Sequence, residues 1–386
     1  MGPAALIYHP DLADFDLGEG HPMNPVRLAL TVELMEAYGL LDSVTVLPPR
    51  PATMQELSHV HALGYIEAVQ LSSDWGAAVH HDVGLGTDDN PIYPGMHDAA
   101  ALVAGASIVG LEEVLAGRFE KTFSIAGGMH HAHRGRASGF SVYNDACVAI
   151  AAAQVRNPGI KVLYLDVDAH HGDGVQSTFA GSSDVMTVSI HASGLYAFPG
   201  TGFPIESGYG AGEGHTVNVP LPRGATDECL ALAFEEVVKP VTAAFRPHVI
   251  VAQLGVDAHH ADPQAELHMT LPGYRHLVRE TIALAEKHCG GRLAALGGGG
   301  YHVLEIVPRA WTWVMAELAG VELPEELPLS WRDHARALTG EEPPTTLGAD
   351  DGIETAAEDA ERLLEETRES VAEVRAAVFP HHAIAF

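Results

Sequence analysis

The sequence predicts a single α/β domain built on a mostly parallel central β-sheet with helices on its flanks. Short apolar runs of strand type alternate with helical stretches of roughly 10–20 residues, which is the pattern of βαβ units. The chain has 386 residues, 47% of them hydrophobic, which is enough for one large core. No internal repeat of roughly 20–50 residues is visible, so a solenoid or a propeller is not expected.

Seven short, apolar strands are predicted, and the last five of them end in glycine or polar sequences. They are Leu6–Tyr8, Val44–Leu47, Phe123–Ala126, a run starting at Val162, Val185–Ile190, Val249–Leu254 and Leu293–Leu296. Parallel strands present their carboxyl ends at one edge of a sheet, where ligands bind in open α/β folds. We therefore expect the loops after these strands to converge on one pocket.

The predicted helices show apolar spacing, caps or a high alanine content. They are Val26–Tyr38 with Gly39 as its stop, Thr53–Leu57 with a capping box between Thr53 and Glu56, Leu63–Leu71, Gly95–Ala116, Asn144–Val155, Thr226–Phe245, Pro272–His288 and His302–Leu318. Residues 72–94 have no clean period and contain His80, His81 and several aspartates. This stretch is predicted to be a long functional loop.

The last part of the chain has a different composition. We predict a catalytic domain over residues 1–320 and an acidic C-terminal extension over residues 321–386. Within the extension, Ile353–Val378 has helical spacing with one apolar and one charged face. An amphipathic helix of this kind is expected to pack on the outside of the domain, and a partner-binding helix is the alternative.

Charge and cysteine content limit the partners and the compartment. The net charge is −30, which argues against nucleic acid and anionic membranes and suits a cationic substrate; general solubility explains it equally well. The three cysteines are far apart and form no CxxC pair, so we expect a reducing, cytoplasmic compartment. Residues 1–15 lack a basic start and a long apolar core, so no signal peptide is expected, and no apolar stretch is long enough to cross a membrane.

The stretch from Val162 to Gly174 carries the strongest chemical signal. Five ionisable side chains occupy the eight positions 166–173, directly after a buried strand. Burying such groups is costly unless they pair or bind a metal. We interpret Asp168 and His170, together with Asp257 after a later strand, as metal ligands that leave a position open for water and substrate. Zinc fits this set, and manganese or iron(II) are alternatives.

Two further loops carry groups suited to catalysis beside such a metal. His130 and His131 follow a strand and two glycines, and a pair of imidazoles there suggests general acid–base catalysis. Asp166 and Asp173 are candidates to orient these rings. The run Gly297–Gly300 lets the backbone approach a ligand, with Gly299 as the candidate substrate contact, and Tyr301 offers a hydroxyl that stabilises a developing oxyanion.

The sequence resembles the histone deacetylase superfamily, and most of all its bacterial acetoin-utilisation branch. The motifs lie in the family's order over roughly residues 1–320. They are GHPMNPVR (Gly20–Arg27), AGGMHHAHRGRASGFSVYND (Ala126–Asp145), VLYLDVDAHHGDGVQSTF (Val162–Phe179), VMTVSIH (Val185–His191), FPGTG (Phe198–Gly202), QLGVDAHHADP (Gln253–Pro263), LGGGGY (Leu296–Tyr301) and RAWTW (Arg309–Trp313). The resemblance implies the fold that arginases and deacetylases share.

The resemblance also implies roles for the candidate residues. Asp168, His170 and Asp257 would bind a catalytic zinc, His131 would act as the general base and Tyr301 would stabilise the oxyanion. Zinc-bound water would attack the acetamide of Nε-acetyl-lysine in a protein or peptide and release acetate. The remaining positions fall into two groups. The substrate-binding positions are Asp89, Gly139, Phe140, Phe198 and Gly299, and a structural potassium ion would lie near Asp166, Asp168, His170 and Ser189.

Other functions remain as alternatives. An amidohydrolase that acts on acetylated polyamines would use the same fold and chemistry, and the acidic charge favours it, whereas Gly20–Arg27 favours a protein substrate. A binuclear manganese ureohydrolase also shares an Asp-Ala-His motif. However, it needs a second cluster of aspartates, and the only acidic residue between Asp257 and Glu266 is Asp262. A binding scaffold without activity is disfavoured because every catalytic position is filled. The sequence makes no prediction of the oligomeric state.

Overall fold

The computed structural model describes residues 4–75, 81–264, 266–349 and 351–385, and its described part contains one eight-stranded sheet. All strand pairs in this sheet are parallel, in the order β2-β1-β3-β8-β7-β4-β5-β6. The strands are β1 Ala4–Ile7, β2 Thr45–Leu47, β3 Lys121–Ser124, β4 Val162–Asp166, β5 Val185–Ala192, β6 Thr216–Leu221, β7 Val249–Gln253 and β8 Leu293–Leu296. The predicted fold class is confirmed.

The helices cover the sheet and connect its strands. In the described chain they are α1 Val26–Ala37, α2 Met54–Ser58, α3 Leu63–Trp75, α4 Met96–Leu115, α5 Asp145–Arg156, α6 Asp173–Phe179, α7 Asp227–Ala233, α8 Lys239–Phe245, α9 Leu271–Cys289, α10 Val307–Ala319, α11 Leu329–Thr339 and α12 Ala357–Val378. None of these helices is long and apolar enough to cross a membrane. The central strands β4 and β7 are buried along their whole length, as expected for a parallel sheet with helices on both faces.

The register of the sheet aligns the carboxyl ends of its middle strands. Ser124, Leu296, Gln253, Asp166 and Ser189 are successive partners across β3, β8, β7, β4 and β5. The segments that follow these positions therefore begin at the same level of the sheet. The predicted convergence of loops rests on this alignment.

Several predicted boundaries were wrong. The edge strand β6 was missed, and β5 continues through His191 to Ala192. A π-helical turn, Phe234–Val238, interrupts the helix predicted over residues 226–245. Helix α10 begins at Val307 and not at His302, because Pro308 occupies its first turn. Gly39, in contrast, ends α1 with a left-handed backbone, and the Thr53–Glu56 capping box is present.

The C-terminal extension packs on the sheet edge. Helix α12 buries Val371, Val374 and Val378 in the main hydrophobic core, against β6 and α7. The Ser370 hydroxyl donates to the carbonyl of Pro220 in β6 at 2.8 Å. This contact accounts for the apolar face of the predicted amphipathic helix, while the domain boundary at residue 320 remains a prediction.

Candidate active site

The loop after β3 is fixed from behind by Asp145. This buried carboxylate accepts hydrogen bonds from the backbone N–H groups of Gly128 and Met129, at 3.0 and 2.7 Å. Gly128 has φ of +94°, and a Cβ there would meet Gly298 of the neighbouring strand end. Asp145 was not among the predicted site residues, although its position at the start of α5 places it below the loop.

His130 and His131 face each other at the end of this loop. Their Nε2 atoms are 2.9 Å apart. His130 Nδ1 donates to Asp166 and His131 Nδ1 donates to Asp173, each at 2.8 Å. The two aspartates thus lie where the predicted orienting groups would be. His133 also contacts Asp173, at 3.1 Å.

The two imidazoles have opposite pKa shifts. Burial on its own would lower the pKa of His130, but the carboxylates of Asp166 and Asp168 outweigh it and raise the pKa to about 9. Burial, together with the neighbouring His130, lowers the pKa of His131 to about 3. One positive charge on the pair therefore belongs to His130, and His131 stays neutral and able to accept a proton.

The three predicted metal ligands lie together. His170 Nδ1 is 2.9 Å from Asp257 Oδ2 and 3.2 Å from Asp168 Oδ1, and all three residues offer a ligand atom within 4.8 Å of the others. Asp168 also accepts from Gln253 Nε2 at 2.7 Å and from the backbone N–H of Gly299 at 2.8 Å. Gln253 was missed, although a glutamine in an otherwise apolar strand was a visible signal.

The chemistry of this donor set fits a divalent cation. Asp168 and Asp257 are both buried, and burial followed by repulsion from Asp168 raises the pKa of Asp257 to about 6. A cation between them would offset that repulsion and the cost of burying two carboxylates. One imidazole and two carboxylates are ligands for zinc, iron(II) or manganese.

The glycine run after β8 forms the opposite side of the site. A Cβ on Gly298 would collide with Gln253, and one on Gly299 would collide with Asp257. The buried guanidinium of Arg27 donates to the carbonyls of Gly298 and Gly300, at 3.0 and 2.8 Å. Arg27 was not predicted as a site residue, although it ends the motif GHPMNPVR and places a charge on a helix with apolar spacing.

Tyr301 follows this run and is anchored through its backbone. Its N–H donates to Asp262 Oδ2 at 2.7 Å. Burial, with the charges of Asp257 and Asp168, raises the pKa of the Tyr301 hydroxyl well above its ordinary value. The hydroxyl is therefore a hydrogen-bond donor at neutral pH.

A narrow cavity of about 170 Å³ leads to these groups. Its lining consists of Asp89, His131, Gly139, Phe140, His170, Phe198, Gln264 and Tyr301. The ring of Phe198 meets His131 edge-on at 4.9 Å between centroids, and the ring of Phe140 meets Tyr301 at 5.7 Å. A larger cleft of about 810 Å³ near His9 and Asp98 shares none of these lining residues. Of the predicted substrate-binding positions, Asp89, Gly139, Phe140 and Phe198 line the narrow cavity and Gly299 does not, while Gln264 is an addition.

Two of the predicted potassium residues, Asp168 and His170, belong to the metal cluster, and the other two lie at neighbouring strand ends. Asp166 and Ser189 are register partners on β4 and β5. Asp166 accepts from the Tyr164 hydroxyl at 2.7 Å and from the backbone N–H of Asp168 at 3.1 Å, and Ser189 Oγ contacts His191 Nδ1 at 2.8 Å. The potassium site remains a prediction from the resemblance.

Several other histidines of the described chain do not line the cavity. His259 and His260 contact Asp351, and His382 contacts the carbonyl of Gly214. His80 lies outside the described residues.

Comparison with known proteins gives consistent results. The histone deacetylase domain family matches residues 21–318. The acetoin utilization protein AcuC of Bacillus subtilis is 40% identical over 333 residues, covering 86% of each chain, and that of Staphylococcus aureus is 36% identical over 85% of each. A crystal structure of an HDAC homologue from Aquifex aeolicus superposes with a TM-score of 0.83 at 30% identity, covering 95% of this chain and 100% of that one. A structure of an HDAC homologue in complex with SAHA has the same TM-score, identity and coverage.

Proposed function

This chain belongs to the histone deacetylase family and is a hydrolase of the deacetylase type, and from that premise we propose that it removes acetyl groups from Nε-acetyl-lysine side chains of proteins. The observation that carries the proposal is the meeting of two groups at the base of one cavity. These are the carboxylate-held pair His130–His131 and the cluster of Asp168, His170 and Asp257.

The cavity supports an acylated amine on a linear chain. Phe140 and Phe198 present two aromatic rings to its interior, which suits a row of methylene groups. Asp89 at the lining and the net charge of −30 attract a cationic segment around the acylated side chain. A lysine-rich protein segment combines these two features.

The protein side chains provide the proton transfers. His131 Nε2 exchanges its hydrogen bond from His130 for one from the attacking water and accepts the proton of that water, and Asp173 stabilises the imidazolium that forms. The Tyr301 hydroxyl donates a hydrogen bond to the oxyanion of the tetrahedral intermediate. A protonated imidazole of the pair then protonates the leaving nitrogen as the C–N bond breaks. The products are acetate and a free amine.

Asp168, His170 and Asp257 would hold the proposed cation, which would supply Lewis-acid polarisation of the amide carbonyl and of the attacking water. Zinc is the proposed ion, with iron(II) or manganese as alternatives, and potassium is proposed beside Asp166. The three cysteines are free and buried, which supports the proposal of a reducing, cytoplasmic location.

A second candidate function is hydrolysis of acetylated polyamines. The acidic charge of the chain favours it, because polyamines carry several positive charges. The two candidates share the chemistry and differ in what surrounds the reacting amide.

The test compares acetate release from acetyl-lysine peptides and from acetylspermidine, with metal-depleted protein reloaded with Zn²⁺, Fe²⁺ or Mn²⁺. We expect the larger kcat/KM with a lysine-rich acetylated peptide and no turnover without metal. A larger kcat/KM with acetylspermidine would favour the second function. Absence of acetate release from both substrates under all metals would refute the proposal.

A further inference from the structure

A segment of the C-terminal extension runs across α10 towards the active site. We call residues 345–349 together with Asp351 the strap. The backbone N–H of Leu347 donates to the carbonyl of Glu325 at 2.7 Å, and that of Gly348 to the Glu325 side chain at 2.6 Å. Leu347 is buried, and Gly348 lies so close to Trp313 that a Cβ would collide with the indole. The strap is therefore held firmly over α10, beyond residue 318, where the family match ends.

The strap ends in a carboxylate with three hydrogen-bond donors. Asp351 Oδ2 is 2.9 Å from His259 Nε2 and accepts from the backbone N–H of Leu271 at 2.6 Å. Asp351 Oδ1 is 3.3 Å from His260 Nε2. The Asp351 side chain is only 8% exposed. The carboxylate thus bridges the segment after β7 and the first residue of α9.

The spacing of these groups resembles a metal site, but the hydrogen bonds indicate a different role. The backbone N–H of Ala261 donates to His259 Nδ1 at 3.2 Å. Nδ1 therefore carries no proton, so Nε2 does and donates it to Asp351. A nitrogen that carries a proton cannot ligate a metal, so the His259–Asp351 contact is a hydrogen bond between the strap and the catalytic segment.

This hydrogen bond lies between two groups of the active site. His259 and His260 occupy the chain between the proposed metal ligand Asp257 and Asp262, which accepts the Tyr301 N–H. The Asp262 N–H donates to the carbonyl of His259 at 2.9 Å. A displacement of His259 would therefore shift Asp257 on one side. On the other side it would shift Asp262, which accepts the hydrogen bond from the Tyr301 N–H.

We infer that Asp351 is a positioning residue. Through it the strap fixes the positions of Asp257 and Tyr301 relative to each other. It touches neither substrate nor metal. Residues that hold metal ligands from behind typically influence metal affinity and activity by about 10- to 100-fold when removed. The expected effect on kcat rests on the proposed function. The expected effect on metal affinity does not, because it can be measured without a substrate.

The experiment measures Zn²⁺ affinity by chelator competition, and kcat and KM separately, for Asp351→Asn and Asp351→Ala. We expect the Kd for Zn²⁺ to rise and kcat to fall, each on the order of 10-fold, with KM changed less than about 2-fold because the aromatic walls are untouched. The matched control is Glu354→Gln, which removes one charge from an exposed position of the same extension and should behave as wild type.

A second pair of variants separates positioning from general destabilisation. His260→Gln loses only the longer of the two imidazole contacts and should show a smaller effect in the same direction. The double variant His259→Ala/Asp351→Ala should be no worse than either single variant, because the two groups act as one unit. If Asp351→Asn does not fold, His260→Gln still provides the test.

The outcomes distinguish this inference from the proposed function. Wild-type Zn²⁺ affinity and kcat in folded Asp351→Asn would overturn the inference, even if the thermal midpoint fell. Absence of deacetylation by the wild-type protein would remove the proposed function, while the loss of Zn²⁺ affinity in the variants would still support the positioning role.

Discussion

The Nε2 atoms of His130 and His131 lie 2.9 Å apart, while the Nδ1 atom of each ring donates to a carboxylate of its own. With both Nδ1 positions protonated, the short Nε2 contact requires one ring to donate and the other to accept. The pKa shifts assign the donor to His130 and the acceptor to His131. Two adjacent and chemically identical side chains are therefore not equivalent.

Replacement of His131 should lower kcat more than replacement of His130. We expect His131→Ala to lower kcat by about 10²- to 10⁴-fold, the usual contribution of a general base, and His130→Ala to lower it less. Steady-state kinetics on an acetyl-lysine peptide measure both, with the exposed His276→Ala as a control. If folded His131→Ala turned over at the wild-type rate, another group would have to be the base.

The Tyr301 hydroxyl should act only in the transition state. We expect Tyr301→Phe to lower kcat by on the order of 100-fold, as loss of an oxyanion donor does elsewhere, with Zn²⁺ content unchanged because the ligand set is intact. Tyr209→Phe changes an exposed tyrosine and should have no effect. Wild-type turnover by Tyr301→Phe would exclude the proposed oxyanion role.

A methyl group at Gly139 should distort the cavity wall. Gly139 has φ of +48°, and its Cβ would lie 2.5 Å from His131 Cδ2 and 2.9 Å from Phe198 Cε1. We expect Gly139→Ala to reduce kcat/KM by at least about 10-fold, because small misplacements of catalytic groups are costly. Gly135→Ala is the matched control, since no atom lies within 4 Å of its Cβ. Equal activity of the two variants would contradict this account of the wall.

The Glu56 carboxylate should make stability depend on pH. Its hydrogen bonds with Arg50, which outweigh its burial, and those with Thr53 lower its pKa from 4.5 to about 2. A pKa depressed in the folded state stabilises the protein above pH 4.5, and this contribution is lost as the pH falls towards 2.

We therefore expect Glu56→Gln to lower the free energy of unfolding at pH 7 by about 1–2 kcal/mol, after allowance for solvent screening. The difference from wild type should shrink at pH 3. Urea unfolding at both pH values provides the measurement, with the exposed Glu67→Gln as a control. A difference that grew on acidification would have the wrong sign.

The strands around the site could be predicted because their local signals were strong. The runs at Val249 and Leu293 are apolar and end in glycine, and the structure places strands there. The missed strand β6 contains Pro220, which cannot donate to a ladder and therefore argues against a strand. Proline is tolerated there because β6 is the last strand in the sheet order, at an edge.

Part of the site was predictable and part was not. The ligand set of Asp168, His170 and Asp257 could be predicted because ionisable groups directly follow buried strands, and the structure brings the three residues together. The residues that hold this ligand set in place cannot be recognised from the sequence around them. The hydrogen bond from Gln253 to Asp168 joins positions 85 residues apart, and that from Arg27 to Gly300 joins positions 273 residues apart. Contacts of this kind depend on packing of the complete sheet, which single-sequence patterns do not encode.

The bonds from Arg27 to Gly298 and Gly300 also bear on how the protein is made. A ribosome completes helix α1 long before it reaches the two carbonyls that the guanidinium of Arg27 requires, 271 and 273 residues later. A chain that stops short of Gly298 lacks both acceptors, so it could bury Arg27 only at a large cost in free energy. We therefore expect chains that end before Gly298 to be less stable than the full-length protein and more open to proteolysis.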